Sequence, residues 1–300
     1  METTTATPKA PPPIPASARK AEAPVNIYKP YLMRIAKITL EAPGVRTFRL
    51  EFANPAEGEA FTYKTGQFGL YSAFGEGEST FCIASSPTRK GYIECTFRES
   101  GRVTSSLADK DVGDTVGFRG PYGNVFPLEK WKGKSLVFVA GGIALPPMRS
   151  VIWNCLDLRD WFKDITVIYG ARTVNDLVYK HELDEWSKRS DMKLVTTVDP
   201  GGDQPGWTGK VGFVPHVVEQ IAPPSTDSVA IVCGPPIMIK LTLPVLSKLG
   251  FGKSDIYTTL ENRMKCGLGK CGRCNTGRSY VCKDGPVYTL AELENLPAEY

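Results

Sequence analysis

Residues 137–148 read Val137-Phe138-Val139-Ala140-Gly141-Gly142-Ile143-Ala144-Leu145-Pro146-Pro147-Met148. The apolar run predicts a buried strand, and the paired glycines at its end let a pyrophosphate approach the backbone. A helix is expected next, and its free N–H groups and positive dipole end attract anions; Pro146 suits its first turn. The stretch is not a G-x-G-x-x-G fingerprint, and a plain tight turn is the alternative. It predicts nucleotide contacts at Gly141, Gly142, Ile143, Ala144 and Pro146.

The sequence around this stretch alternates between apolar strands and helical patterns. We predict strands at 135–140, 165–169, 193–198 and 228–233, and helices at 146–158, 177–188, 214–221 and 237–249. Such alternation indicates βαβ units. We therefore expect an α/β domain built on a parallel sheet.

The preceding hundred or so residues have a different pattern of apolar and polar residues. Short alternating apolar runs are separated by Gly, Pro and Asp turns, and they predict strands at 32–40, 46–52, 69–74, 81–84, 92–97 and 115–118. Six short strands at this spacing are typical of a small antiparallel barrel. The fold class expected is an all-β barrel followed by an α/β nucleotide-binding domain and a short C-terminal segment.

These patterns divide the chain into four parts. Residues 1–29 are rich in Thr, Ala and Pro, which predicts a disordered tail or a strap over a partner. The barrel is expected at 30–130, the α/β domain at 131–254 and the C-terminal segment at 255–300.

The composition excludes several functions. Hydrophobic residues make up 42% and charged residues 23% of 300, as in ordinary soluble proteins, and a net charge of +4 is too small to indicate nucleic acid binding. No apolar run approaches the roughly 18 residues of a membrane span, and an export signal is not evident. Eight cysteines in such a chain predict a reducing, cytoplasmic location.

Four of those cysteines lie close together near the end of the chain. Cys266, Cys271, Cys274 and Cys282 have the spacing C-x4-C-x2-C-x7-C, and its first part is that of a plant-type [2Fe–2S] loop. Nearby glycines let the backbone wrap tightly and direct N–H groups at sulfur. A zinc site is the main alternative, although it usually needs two short-spaced ligand pairs; a disulfide framework is the second. The pattern favours an iron–sulfur cluster.

Two further positions fall at predicted strand ends of the α/β domain. Arg172 follows the second strand, where a cofactor's 2′ substituent lies, and it can pair with the 2′-phosphate of NADP. Cys233 closes the fourth strand and is followed by Gly234 and Pro235, so that its small, polarisable side chain can lie beside a nicotinamide ring. The alternatives are a solvated arginine and a buried small hydrophobe.

The barrel carries two candidate flavin motifs. The first is a strand whose alternate residues can contact a flavin ring and its ribityl chain, and it reads Phe81-Cys82-Ile83-Ala84-Ser85. The second is a glycine turn into a helix start that can bind a diphosphate, and it reads Gly101-Arg102-Val103-Thr104-Ser105. An ordinary strand and an ordinary helix cap are the alternatives.

The order of these motifs resembles the ferredoxin–NADP reductase superfamily over residues 30–255. The compact cluster motif is similar to that of the electron-transfer subunit of dihydroorotate dehydrogenase. Its relatives are the gamma subunit of cytoplasmic nickel–iron hydrogenases (sulfhydrogenases) and the B subunit of anaerobic sulfite reductase. Residues 260–274 look most like the hydrogenase and sulfite reductase group.

The resemblance implies a role for each motif. FAD would bind at 81–85 and 101–105, NADP(H) or NAD(H) at 141–146 and Arg172, and [2Fe–2S] at the four cysteines. Cys233 would be the catalytic residue beside nicotinamide and flavin. One departure is that Ser79 stands where the superfamily has an arginine that contacts flavin phosphate, and Arg102 is a candidate to replace it.

The function that follows is a diaphorase-like electron-transfer subunit. Electrons would pass between NAD(P)H, FAD, the cluster and a partner catalytic subunit of hydrogenase or sulfite reductase type. Residues 263–283 contain six cations and no Asp or Glu, which suits an acidic partner, although a solvated basic face is the alternative. The rival functions are a stand-alone NAD(P)H:ferredoxin or flavin reductase and a non-catalytic regulatory subunit.

Overall fold

A computed structural model describes residues 26–297 of the chain. Residues 1–25 of the expected tail therefore lie outside the described residues. At residues 26–29 the chain forms a turn, in which the Lys29 N–H donates to the Asn26 carbonyl at 3.0 Å.

Within the described residues, six antiparallel strands form the predicted barrel. They are β1 (Tyr31–Ala42), β2 (Val45–Phe52), β3 (Phe68–Ala73), β4 (Gly77–Cys82), β5 (Ile93–Arg98) and β6 (Thr115–Tyr122), hydrogen-bonded in the order β4-β3-β6-β1-β2-β5. Two short helices accompany them, α1 (Pro55–Ala60) and α2 (Arg102–Ala108). The barrel interior is apolar and aromatic, as the alternating pattern predicted.

The edge strands β4 and β5 approach each other mainly through side chains. The rings of Phe81 and Phe97 stack with centroids 5.5 Å apart, and just beyond β4 the Ala84 N–H donates to the Glu94 carbonyl at 2.7 Å. Strand β4 begins four residues earlier than predicted, because the polar residues 78–80 pair with β3 in spite of their low hydrophobicity.

The second sheet is the predicted parallel one. Its strands are β7 (Ser135–Gly141), β8 (Ile165–Ala171), β9 (Lys193–Val198), β10 (Lys210–Val211), β11 (Ser228–Cys233) and β12 (Ile256–Thr259). The helices between them are α3 (Leu145–Asp157), α4 (Lys180–Ser187), α5 (Val214–Ile221) and α6 (Pro236–Lys248). Helix α4 starts later than predicted because Tyr179, directly before it, has a left-handed φ of 56°.

The strand order of this sheet locates a crevice. Strands run β10-β9-β8-β7-β11-β12, so the connection out of β7 goes to one side and later strands return to the other. In such sheets ligands bind outside the carboxyl ends of the strands where the order reverses. That point lies between β7 and β11, next to Gly141 and Cys233.

The C-terminal segment is less separate than the sequence predicted. It contains the short elements β13 (Asn275–Thr276), β14 (Ser279–Tyr280), α7 (Val281–Asp284), β15 (Val287–Thr289) and α8 (Leu290–Leu293). Strand β15 pairs antiparallel with β12, and both belong to the nucleotide sheet. The nucleotide sheet thus continues past the expected boundary at 254/255 into β12, whose four residues were too few for a clear pattern.

Candidate functional site

The cluster loop wraps around the sulfurs of its cysteines. Cys274 and Cys282 are buried, Cys266 is half-buried and Cys271 is exposed. The Cys266 sulfur accepts from the N–H groups of Leu268 at 3.3 Å and Lys270 at 3.4 Å, and the Cys282 sulfur accepts from Gly269 at 3.1 Å. Such N–H donors stabilise negative charge on sulfur, so the loop fits a thiolate-held cluster.

The four thiols stand as two neighbouring pairs, Cys266 with Cys271 and Cys274 with Cys282. Burial raises the pKa of Cys266, but surrounding N–H groups lower it more, to about 6. Burial and the Cys274 thiol raise the pKa of Cys282 to about 12.

Across residues 26–297, no three Cys, His, Asp or Glu side chains converge as a metal-binding group. All eight cysteines are free thiols, which disfavours the disulfide alternative.

The barrel holds the cluster segment in place through Asn124. Its amide nitrogen donates to the carbonyls of Asp284 at 2.9 Å and Val287 at 2.7 Å, and its oxygen accepts from the Val287 N–H at 2.9 Å. The ring of Tyr122 packs on Gly267, where an added Cβ would lie 2.4 Å from the ring. The segment therefore contacts both the barrel and, through β15, the nucleotide sheet.

The first flavin motif divides into an accessible and a buried half. Phe81 and Cys82 are half-buried, whereas Ile83, Ala84 and Ser85 are buried within the protein. The Ser85 hydroxyl lies 2.8 Å from the Tyr63 hydroxyl and accepts from the Glu94 N–H at 3.0 Å. Phe81 and Cys82 are thus the members of this motif whose side chains can reach a flavin ring.

Helix α3 of the nucleotide domain forms hydrogen bonds to the buried half of that motif. Arg149 donates to the Ala84 carbonyl at 2.9 Å, and the Ser150 hydroxyl donates to the Ser85 carbonyl at 2.7 Å. Because α3 starts directly after the turn Gly142–Ala144, one helix links the nucleotide loop to the flavin strand.

Arg149 also lies between two buried carboxylates, Glu94 of β5 and Glu182 of α4. It donates to Glu94 at 2.7 Å and to both oxygens of Glu182 at 2.8 and 2.6 Å. Burial opposes the charged form of Arg149, but the two carboxylates and Tyr179 raise its pKa well above the ordinary value. Burial likewise works against ionised Glu182, yet Arg149 keeps the pKa of Glu182 below its ordinary value.

The second flavin motif forms the start of α2. The Thr104 hydroxyl accepts from the N–H groups of Ser100 and Gly101, each at 2.9 Å, and so caps the helix from within. Gly101 and Arg102 are exposed, and Val103 and Ser105 are half-buried. Arg102 forms an ion pair with Glu76 in the turn before β4. Its guanidinium is therefore already engaged by a carboxylate.

The glycine pair of the nucleotide loop has two different environments. A Cβ on Gly141 would lie 2.4 Å from the Met238 sulfur, whereas Gly142, with φ of +56°, has nothing within 4 Å. Helix α3 has prolines at 146 and 147, and the Leu145 N–H already bonds to the Gly142 carbonyl. An approaching phosphate would therefore meet the turn Gly142–Ala144 rather than a fully open helix start.

Cys233 lies where the flavin strand, the nucleotide sheet and the cluster segment meet. Its sulfur is 2.9 Å from the Thr259 hydroxyl. Burial raises the pKa of Cys233 to about 12, and nearby Glu261 adds to the increase. Burial, then Cys233 and Glu261, raise the pKa of Cys82 as well. A raised pKa favours the neutral thiol in both residues, which suits contact with an uncharged ring.

The remaining predicted nucleotide contacts lie at the rim. Gly234 is half-buried under Met238, and Pro235 is exposed. Arg172 is exposed at the carboxyl end of β8, near Asp199 at the end of β9. Burial raises the pKa of Asp199, and the Arg172 charge only partly offsets this. Arg172 thus stands where it can meet a ribose substituent, with an acidic neighbour.

Sequence reasoning missed several residues of this site. Arg149 and Glu182 looked like ordinary polar positions of helices, and Asn124 sat in a loop; the pairing partners of all three are 29 or more residues away. Met238 and Glu261 likewise carry no local signal. Arg149 alone offered one, as a charge within the apolar pattern of α3.

A groove of about 620 Å³ lies on another part of the barrel, away from Cys82 and Cys233. It contains none of the predicted site residues and is lined by 51, 52, 55, 58, 59, 61–63 and 89–92. The convergence at Cys82 and Cys233 is therefore the better candidate for redox chemistry.

Three protein-family models match the chain in sequence order. Residues 33–126 match the oxidoreductase FAD-binding domain, and 138–243 match the oxidoreductase NAD-binding domain. Residues 261–294 match the iron–sulfur cluster binding domain of dihydroorotate dehydrogenase B.

Sequence identity to known proteins shows which family the chain belongs to. Sulfhydrogenase 1 subunit gamma from Pyrococcus furiosus is 38% identical over 277 residues, covering 91% of this chain and 94% of that protein. A protein of Methanocaldococcus jannaschii named "Probable dihydroorotate dehydrogenase B (NAD(+)), electron transfer subunit" is 30% identical over 263 residues, covering 87% and 90%. The chain belongs to this family of electron-transfer subunits. Family membership confirms the predicted FAD, nucleotide and iron–sulfur domains of an oxidoreductase subunit.

Solved structures confirm the fold of this electron-transfer subunit. An NADH-dependent reduced ferredoxin–NADP oxidoreductase has a TM-score of 0.69 at 23% identity, covering 89% of this chain and 93% of that one. A ferredoxin NADP⁺ reductase from Neisseria gonorrhoeae has a TM-score of 0.61 at 20% identity, covering 77% and 94%. Among residues 26–297, no helix is long and apolar enough to cross a membrane.

Proposed function

We propose that this subunit moves electrons between NAD(P)H and a partner catalytic subunit of hydrogenase or sulfite reductase type. When bound, FAD supplies the link between the two-electron chemistry of nicotinamide and the one-electron chemistry of a [2Fe–2S] cluster. The observation that carries the proposal is the position of Cys233, whose sulfur lies 2.9 Å from Thr259 in the strand that leads to the cluster loop. Ser150 of α3 binds the flavin strand at Ser85, and Glu261 lies close to both Cys233 and Cys82. These contacts join the flavin strand, the nucleotide crevice and the segment leading to the cluster.

Each part of the site has a role in this proposal. Phe81 and Cys82 contact the flavin, and the turn 101–105 receives its phosphates. The turn Gly142–Ala144 binds the nucleotide pyrophosphate, and Cys233 orients the nicotinamide as a neutral thiol. Arg172 favours NADP over NAD through the 2′-phosphate. The cysteines that hold the cluster are Cys266, Cys271, Cys274 and Cys282.

The partner carries the terminal reaction. Of the other cysteines, Cys95 lies in the barrel core and Cys155 in the core of the nucleotide domain, and within residues 26–297 neither belongs to a group of three metal-ligating side chains. Around the cluster loop, six exposed cations favour an acidic partner surface. They are Arg263, Lys265, Lys270, Arg273, Arg278 and Lys283. The free thiols agree with a cytoplasmic location.

The experiment compares Cys266→Ala with Cys155→Ala in protein reconstituted with FAD, iron and sulfide. We expect both variants to retain NAD(P)H-dependent flavin bleaching, and only Cys266→Ala to lose electron transfer to the isolated partner. Equal transfer rates in the two variants would show that the cluster is not on the route. Full turnover with a free acceptor and no co-purifying subunit would favour a stand-alone reductase.

A further inference from the structure

A basic pocket of about 400 Å³ lies between β4 and the cluster loop. This volume is within the usual range of small-molecule sites. One wall is formed by residues 78–80 of β4, and the other by residues 262–265 and 273 of the cluster segment. The Thr80 hydroxyl donates to the Met264 carbonyl at 3.2 Å and so joins the two walls.

The charge of the pocket is positive. Its lining includes the cations Arg263, Lys265 and Arg273 and a single carboxylate, Glu78. Both oxygens of Glu78 already accept from Arg119, at 2.8 and 2.6 Å. These hydrogen bonds lower the pKa of Glu78, which keeps that pair ionised. Three cations therefore line the cavity, and the carboxylate that lines it with them is already paired with Arg119, an arrangement that suits a multiply charged anion.

The position of the pocket indicates which molecule carries the anionic group. The wall residues 78–80 immediately precede Phe81 and Cys82, the accessible part of the flavin strand. Two to three residues of strand span roughly 7–10 Å, a gap that a five-carbon ribityl chain bridges. The other nearby arginine, Arg102, is engaged by Glu76.

We infer that this basic pocket binds the phosphate groups of the flavin together with the turn 101–105, through Arg263 and Arg273 with Lys265 in support. The inference rests on the proposed function, since it assumes a flavin at Phe81 and Cys82. It gives the cluster segment a second task, which is to complete the flavin site from across the barrel. Flavin affinity then depends on cations that lie within and beside the cluster loop.

The test is flavin binding by the full chain with its cluster assembled and its flavin removed. The variant is Arg263→Gln with Arg273→Gln, and the control is Arg278→Gln, an exposed cation of the same segment outside the pocket. FAD, FMN and riboflavin are titrated separately with fluorescence quenching as the readout. We expect the double variant to raise the Kd of FAD and FMN about tenfold and leave that of riboflavin unchanged. The control should change none of the three.

Inorganic pyrophosphate gives a second measurement that needs no variant. It should compete with FAD and leave riboflavin binding unaffected in the wild-type chain. Unchanged FAD affinity in the double variant, equal weakening of riboflavin, or absence of pyrophosphate competition would overturn the inference. Normal FAD binding with slower transfer to the partner would assign these arginines to docking instead. A wild-type chain that binds no flavin would overturn the proposed function together with this inference.

Discussion

At the scale of single residues, Arg149 connects more of the molecule than any side chain that the sequence singled out. It bonds to the flavin strand at Ala84, to the barrel at Glu94 and to helix α4 at Glu182. Arg149, Glu94 and Glu182 are each 5–6% exposed, so their charges are balanced by one another and by Arg49, which bonds to Glu94 at 2.9 Å, rather than by water. This one guanidinium therefore joins helix α3 to the flavin strand, to β5 and to α4.

Replacing Arg149 with Met would leave buried Glu182 without its guanidinium partner and leave buried Glu94 with Arg49 alone. We expect Arg149→Met to lower the free energy of unfolding by about 3–5 kcal/mol. Urea denaturation measures this. The control is Arg34→Met, whose partner Glu51 and own side chain are 41% and 54% exposed; it should cost about 1 kcal/mol or less. Similar losses in the two variants would contradict the assigned role of Arg149.

Arg172 is expected to set the preference for NADPH over NADH. If it pairs with a 2′-phosphate, Arg172→Gln should raise KM for NADPH about tenfold and change KM for NADH less than twofold. Steady-state assays of both nucleotides with the same variant provide the comparison. An equal effect on the two would mean that Arg172 contacts a part they share, or none.

At the scale of elements, β15 and the cluster loop dock onto two domains at once. Strand β15 extends the nucleotide sheet beside β12, while Asn124 fixes the same backbone to the barrel. Neither contact was predictable, because β12 and β15 have four and three residues and Asn124 pairs with residues about 160 positions away. The cysteine spacing, in contrast, is local and predicted the cluster loop directly.

Two glycines of the cluster loop provide a matched test of that docking. Gly267 and Gly272 have φ values of +74° and +72°, but only Gly267 packs against Tyr122. Gly272→Ala should cost about 1–2 kcal/mol of backbone strain, and Gly267→Ala about 1–3 kcal/mol more from overpacking. Thermal unfolding and iron content after reconstitution measure the difference. Equal stability and iron retention would show that the Tyr122 contact does not hold the loop.

At the scale of the whole molecule, the sequence predicted the architecture well because its periods are strong. The continuous apolar run of β7 predicts a strand buried on both faces, and the alternating runs of the barrel predict strands buried on one face. The domain junction has no comparable signal, since Arg149 and Glu94 come from different domains and are 55 positions apart in the sequence. Helix α4 shows the same limit on a smaller scale, because the left-handed Tyr179 delays its start.

We expect nicotinamide, flavin and cluster to form one electron-transfer route within this chain. The most direct test of this route is an anaerobic titration of the purified chain with NADPH and then NADH, followed by visible absorption and low-temperature EPR. We predict bleaching of a flavin band and the appearance of a reduced [2Fe–2S] signal on addition of nucleotide alone. Zinc in place of iron, or a cluster that neither nucleotide reduces, would contradict the claim.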